Sequence, residues 1–277
     1  MVKQTYHCSI YTKCANRAFL YYNYHTNTMP EQHLPTYRHD FLKDRRWLTR
    51  ETDHYIFHYF PQSEAEKDID MIVSTQEAAF RKIVAFLNIE PPQKKIEYYF
   101  YPDKETKTAL MGDDWYAQSI RNEFRIHVLY TKDIKPLGEH EDTHLLSIPW
   151  GISIGFFQEG LAEFMVGHAW DGKSHISYVK EGYAKNLYPS LSDFFKHEAW
   201  LQTDDSKPLY FYSLAGAFAS FLIEKYGKNK FKDLYIKMRR DFTKEENLKI
   251  FMALYGPMVD VEKGFKEYIL HKALKQV

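Results

Sequence analysis

The chain has 277 residues and carries 37 Lys and Arg against 37 Asp and Glu, a net charge of +0. That length accommodates one large domain or two small ones at ~100–200 residues each. A neutral balance with no long basic run lacks the electrostatic footprint of a nucleic-acid binder, and 44% hydrophobic residues with 22 Tyr and 20 Phe exclude general disorder.

Residues 1–45 are polar, rich in Tyr, His and Asn, and show neither helical nor alternating periodicity, so they read as an irregular N-terminal arm or cover. The two cysteines, Cys8 and Cys14, are too few for a disulfide framework and lack the second pair of a structural zinc site. No apolar stretch of ~7–15 residues marks a secretory signal. The expected compartment is therefore cytoplasmic by default, or extracytoplasmic if a leader has been lost upstream. The longest uncharged runs, Leu145–Gln158 and Pro208–Ile223, fall short of the ~18 apolar residues of a membrane span.

Order is expected from Trp47. His54–Phe60 is rich in β-formers and reads as a strand stopped by Pro61. Ser63 and Glu66 have the spacing of a capping box. The apolar positions Ile69, Ile72, Val73, Phe80, Ile83, Val84 and Leu87 then predict one amphipathic helix of about 25 residues, ended by Pro91-Pro92. Lys95–Tyr101 is a second strand, Asp103 caps a short helix to Met111, and Gly112-Asp-Asp is a turn. Phe124–Tyr130 is a third strand. From Pro136 the chain reads as helices, broken at Pro149–Gly155, Asp171–Ser174, Tyr188–Ser190, Asp204–Pro208, Gly227 and Gly256-Pro257. Strands first and helices after predict an α+β fold, with an α+β lobe over 46–170 and a helical C-terminal lobe over 171–277. The boundary between them is expected near residues 168–175.

The chemistry concentrates in Gly138-Glu-His140-Glu141-Asp-Thr-His144, which contains H-E-x-x-H. Residues four apart on a helix share a face, so His140 and His144 can aim imidazole nitrogens at one zinc ion. Glu141, beside that face, is placed to take a proton from the nucleophilic water. A second segment, Phe156-Phe-Gln-Glu159-Gly-Leu-Ala-Glu163-Phe, follows a turn through Pro149, Gly151 and Gly155. Glu159 on a second, antiparallel helix is the candidate third ligand, which leaves a fourth position for water. Glu163, one turn on, is the candidate acceptor for the far N–H of His140 or His144.

H-E-x-x-H followed at short range by E-G-L-A-E-aromatic resembles the gluzincin zinc metallopeptidases, and among them the peptidase-MA-like proteins. The resemblance implies a zincin-like N-terminal lobe, one catalytic Zn2+, His140, His144 and Glu159 as ligands, Glu141 as catalytic glutamate and Glu163 as the supporting acid. The His144-to-Glu159 gap is shorter than in aminopeptidase-N-like relatives, which leaves Glu163 as the alternative ligand. Asp142 stands where relatives carry an apolar residue, which implies looser packing on one side of that helix. Similar proteins place a tyrosine just before a small-residue helix to donate to the oxyanion. Tyr212 is the candidate, with Tyr210 in reserve. The resemblance also implies that the strand Phe124–Tyr130 is a sheet edge to which an extended peptide adds.

His54, His58, His127, His168, His175 and His197 have no partner at metal-ligand spacing and receive no role, although His168 and His175 flank the site in sequence. The expected function is zinc-dependent hydrolysis of peptide bonds in a peptide or protein substrate. Without a G-x-M-E-N-type element the expected class is endopeptidase. The alternatives are an inactive peptidase-like binding or scaffold protein, an aminopeptidase, and a zinc hydrolase acting on another bond. No sequence signal sets the oligomeric state.

Overall fold

A computed structural model of the chain describes residues 39–274, and Cys8, Cys14 and most of the 1–45 arm lie outside that range. The described residues form two compact units, 39–146 and 147–274. The division follows Leu146, ahead of the 168–175 stretch suggested by composition. The fold is α+β with a helical C-terminal region, and among the described residues no helix is long and apolar enough to cross a membrane.

The first unit is built on a five-stranded mixed sheet. Its elements are β1 (Leu48–Glu51), β2 (Tyr55–Tyr59), α1 (Glu64–Lys67), α2 (Ile69–Leu87), β3 (Ile96–Tyr101), α3 (Lys104–Met111), β4 (Ala117–Ile120), β5 (Arg125–Leu129) and α4 (Glu139–Leu146). The strand order is β1-β2-β3-β5-β4. The parallel pairs β2–β3 and β3–β5 lie at the centre, and β1 and β4 pair antiparallel at the two rims. β5 is thus an inner strand. The expectation that Phe124–Tyr130 forms the edge is corrected: β4 covers it, with Gln118 opposite His127 and Ser119 opposite Ile126.

The single long helix expected from Ser63 to Leu87 is divided. Ser63 caps α1 by accepting the Glu66 N–H, but Glu66 returns to the N–H of Gln62, not to Ser63. Asp68 then leaves helical geometry (φ −99, ψ 7). Its carboxylate accepts from the Tyr130 hydroxyl and the Lys135 ammonium, contacts from distant residues that the periodicity of 63–87 does not encode. α2 ends as expected, at Asn88 in the left-handed region ahead of Pro91-Pro92. Asp103 caps α3 by accepting the Thr106 N–H at 2.6 Å.

Strand alternation separates the two faces. Tyr55, Phe57, Tyr98, Phe100, Ile126 and Val128 are buried on the face toward α2. The opposite face carries Tyr99 and His127, whose rings stack at 4.9 Å. Phe41, from a 3-10 turn at Asp40–Lys43, packs edge-on against both, so this part of the arm is a cover over the sheet. His54 and His58 go to opposite faces, the first stacked on Phe80 of α2 and the second on Tyr99.

The second unit contains α5 (Gly155–Val166), α6 (His175–Ala184), α7 (His197–Leu201), α8 (Pro208–Tyr226), α9 (Lys228–Lys237), α10 (Lys244–Tyr255) and α11 (Met258–Leu274). The breaks expected from glycine and proline are present. A further one, between Lys237 and Lys244, is closed by a capping box of Thr243 and Glu246. α5 and α8 form the centre of this unit, and Phe156, Phe157, Phe194, Trp200, Phe218 and Phe251 pack around them. Much of the aromatic load in the composition is therefore core.

Candidate metal centre

α4 is eight residues long. Such a helix is marginal alone and depends on tertiary contacts. At ~100° per residue, His140 and His144 lie within one narrow sector, and Asp142 lies opposite it. The two imidazole rings are 5.0 Å apart and nearly perpendicular. Thr143 returns its hydroxyl to the Glu139 carbonyl at 2.7 Å.

The back of the helix is anchored by polar bonds. Asp142 is fully buried, and the Tyr55 hydroxyl donates to its Oδ2, as does Gln76 Nε2 at 3.1 Å. The same Gln76 amide donates to the Gly138 carbonyl at 3.2 Å and accepts the Gly138 N–H at 2.6 Å. Gly138 has φ +102, a conformation that a side chain would strain. The looser packing inferred for Asp142 is therefore corrected: this side of α4 is held by directional bonds to β2 and α2. Burial raises the Asp142 carboxyl well above the usual carboxylate range, against the two hydrogen bonds that favour its charged form.

At the other end of α4, Arg121 Nε donates to the His144 carbonyl at 3.2 Å, satisfying one of the helix's terminal acceptors. Its Nη2 lies 3.5 Å from His144 Nδ1.

Glu159 and Glu163 sit on α5, each 1% exposed. The start of that helix is fixed by two residues distant in sequence. His197 Nδ1 accepts the Gly155 N–H at 3.0 Å. Arg240 donates from Nε to the Ser153 carbonyl at 3.1 Å and from Nη2 to Gln158 Oε1 at 2.7 Å. Burial, with Arg240 adding to it, lowers the His197 pKa to about 3, so this imidazole is neutral with its proton on Nε2. Glu163 Oε2 is 3.4 Å from His175 Nε2, and His175 Nδ1 is 3.2 Å from the Ser213 hydroxyl.

His140 and His144 offer two imidazoles from α4 of the first unit, and Glu159 and Glu163 offer two buried carboxylates from α5 of the second. Two imidazoles and a carboxylate are a donor set that suits zinc. Glu141 is partly exposed on the same helix. Tyr212, on α8, is buried with Trp170 and Trp200 5.3 and 5.4 Å from its ring. The Tyr210 hydroxyl is engaged on α6, donating to Glu181 at 2.8 Å and accepting from Lys185 at 3.0 Å.

Sequence reasoning missed Tyr55, Gln76, Arg121, His197 and Arg240. Only Gln76 left a signal, a polar residue at a core position of the α2 periodicity between Val73 and Phe80. No known family model matches the chain, and no curated protein matches it.

Proposed function

We propose that the protein is a zinc-dependent metallopeptidase of the gluzincin kind, with His140, His144 and Glu159 as the metal's protein ligands. The observation that carries this reading is the pairing of His140 and His144 on one face of α4, their rings 5.0 Å apart, with a partly exposed glutamate directly after the first histidine. Bound there, zinc supplies Lewis acidity toward a scissile carbonyl and lowers the pKa of water toward ~7.

Glu141 takes the proton of the attacking water and delivers it to the leaving amine. Tyr212 donates its hydroxyl to the oxygen that gains charge, whereas the Tyr210 hydroxyl is occupied by Glu181 and Lys185. An extended substrate adds its backbone to the sheet at β4, the strand at the end of the order on that side. The lack of a G-x-M-E-N-type element favours cleavage within a chain over removal of its first residue.

The test is zinc content by elemental analysis of wild type and His144→Ala, with peptide hydrolysis by wild type and Glu141→Gln. Near-stoichiometric zinc that is lost in His144→Ala supports the site. Loss of at least about a hundredfold in turnover in Glu141→Gln, with zinc retained, supports the role of the base. A folded wild type that takes up no zinc on titration overturns the reading. Zinc without turnover on blocked or unblocked peptide libraries replaces it with an inactive, metal-binding relative of peptidases.

A further inference from the structure

We infer that Tyr55, Gln76 and Asp142 form a positioning clasp that sets the rotation of α4 and thereby the aim of His140 and His144, so that Asp142 is a positioning residue for the metal site. The inference rests on the reading of those histidines as ligands.

The argument begins with geometry. Asp142 projects opposite the histidines, and Tyr55, Gln76 and Asp142 are each 0% exposed. An apolar residue at position 142 would hold the helix by packing, which tolerates small rotation and sliding. A carboxyl oxygen receiving two hydrogen bonds tolerates little of either, because such bonds weaken steeply with misalignment. Gln76 bonds both ends of the same stretch: its amide takes the N–H and carbonyl of Gly138 and also reaches Asp142. Gly138 immediately precedes α4 and Asp142 lies in its first turn, so one side chain holds the start of the helix at two points. Tyr55 ties that turn to β2, one of the inner strands of the sheet.

Beyond the clasp, this helix of eight residues is held by Lys82 at Glu139, by Arg121 at the His144 carbonyl and by buried Leu145 and Leu146. Among the described residues, only the clasp grips the back of its first turn with side-chain hydrogen bonds to a buried residue. A turn of α4 by one residue's angular step, ~100°, would carry both imidazoles off the metal. The clasp therefore acts on the ligands through the helix, not by touching the metal, and its loss should weaken zinc without removing any ligand. Changes outside the ligand shell of zinc sites lower affinity by roughly 10–100-fold, and the same range is expected here.

The experiment compares wild type, Asp142→Leu, Asp142→Asn and Tyr55→Phe. It reads zinc dissociation constants from chelator competition, the visible bands of the Co2+-substituted proteins, and amide hydrogen exchange of residues 139–146 without metal. Asp142→Leu should weaken zinc at least about tenfold, shift the Co2+ bands, and speed exchange in α4. Asp142→Asn keeps an oxygen for Tyr55 and Gln76 and should restore all three readouts. Tyr55→Phe keeps the ring in place and should move them in the same direction by less, so the inference stays testable if Asp142→Leu does not fold. Wild-type zinc affinity, Co2+ bands and exchange in a folded Asp142→Leu, or in Tyr55→Phe if that variant alone folds, would overturn the clasp. If wild type binds neither Zn2+ nor Co2+, the peptidase reading fails on its own. The exchange data then decide the clasp: faster exchange that Asp142→Asn rescues supports it, and unchanged exchange overturns it.

Discussion

A Cβ placed on Gly160 would lie 2.8 Å from the carbonyl oxygen of Ala215 and 3.3 Å from the Cβ of Ala219. α5 and α8 thus approach through small residues, and the glycine of the E-G-L-A-E segment is there because backbone meets backbone. The contact is to a carbonyl, which cannot swing aside as a long side chain would. Gly160→Ala should overpack this crossing and destabilise the protein by about 1–3 kcal/mol, despite alanine's better helix propensity. Urea unfolding at pH 7 checks this, and equal or higher stability would show that α8 yields.

His197 and His127 make the protein sensitive to acid for one reason: both are buried and their charged forms are disfavoured. Burial lowers His197 to about 3 and His127 to well below its ordinary 6.5. In the unfolded chain each protonates near pH 6.5. Between that value and the folded pKa the unfolded state binds the extra proton, so stability falls as pH falls. Each group contributes a slope of up to about 1.4 kcal/mol per pH unit. The loss begins near pH 6.5 and, for His197, levels off near pH 3. His197→Gln, whose side-chain oxygen can still accept the Gly155 N–H, should lose less stability than wild type between pH 7.5 and 4.5. Urea midpoints at those two values measure the difference, and parallel curves would exclude His197 as a contributor.

What could be read in advance divides along physical lines. His140, Glu141 and His144 were legible because their geometry is local: a four-residue spacing on a helix fixes a shared face. β2, β3 and β5 were legible because buried strands carry Tyr, Phe, Ile and Val. β1 and β4 were not. Leu48–Glu51 is exposed throughout, and Ala117-Gln-Ser-Ile has little β-propensity, so only pairing with a neighbour makes either a strand. Without β4 in view, nothing in the residues speaks against the edge position that the resemblance implies for β5. The bonds behind the zinc-type helix were equally invisible, since Tyr55 and Gln76 lie 87 and 66 residues from Asp142. Asp142 stands out in the sequence, but a lone acidic residue does not reveal its partners.

Arg240 connects the far end of the chain to the residue just before Glu159. It donates to both the Ser153 carbonyl and Gln158 Oε1, two oxygens that one planar fork can reach together. Arg240→Ala removes a donor from both, at a cost of about 1–3 kcal/mol for each buried acceptor left unsatisfied. Arg240→Lys should recover only part of it, because an ammonium lacks the fork. Thermal melts of the two variants check the order, and a lysine variant as stable as wild type would show that charge alone suffices.

Glu159 and Glu163, one helical turn apart on α5, compete in sequence for the role of third ligand, and metal binding distinguishes them. Both are buried, but a Glu163 oxygen lies 3.4 Å from His175 of α6, which leaves Glu159 as the expected ligand. Removing a ligand and removing a supporting carboxylate have different signatures. Glu159→Ala should abolish stoichiometric zinc. Glu163→Ala should leave zinc bound but weaken it by roughly 10–100-fold, the range for groups that orient ligands without touching the metal. Glu159→Gln tests charge separately from shape: the amide keeps an oxygen at the site but loses the negative charge that attracts the cation, so it should bind more weakly than wild type and better than Glu159→Ala. Zinc titrations against a competing chelator at pH 7.5 give all four constants on one scale. If Glu163→Ala lost the metal and Glu159→Ala kept it, the ligand assignment would be exchanged.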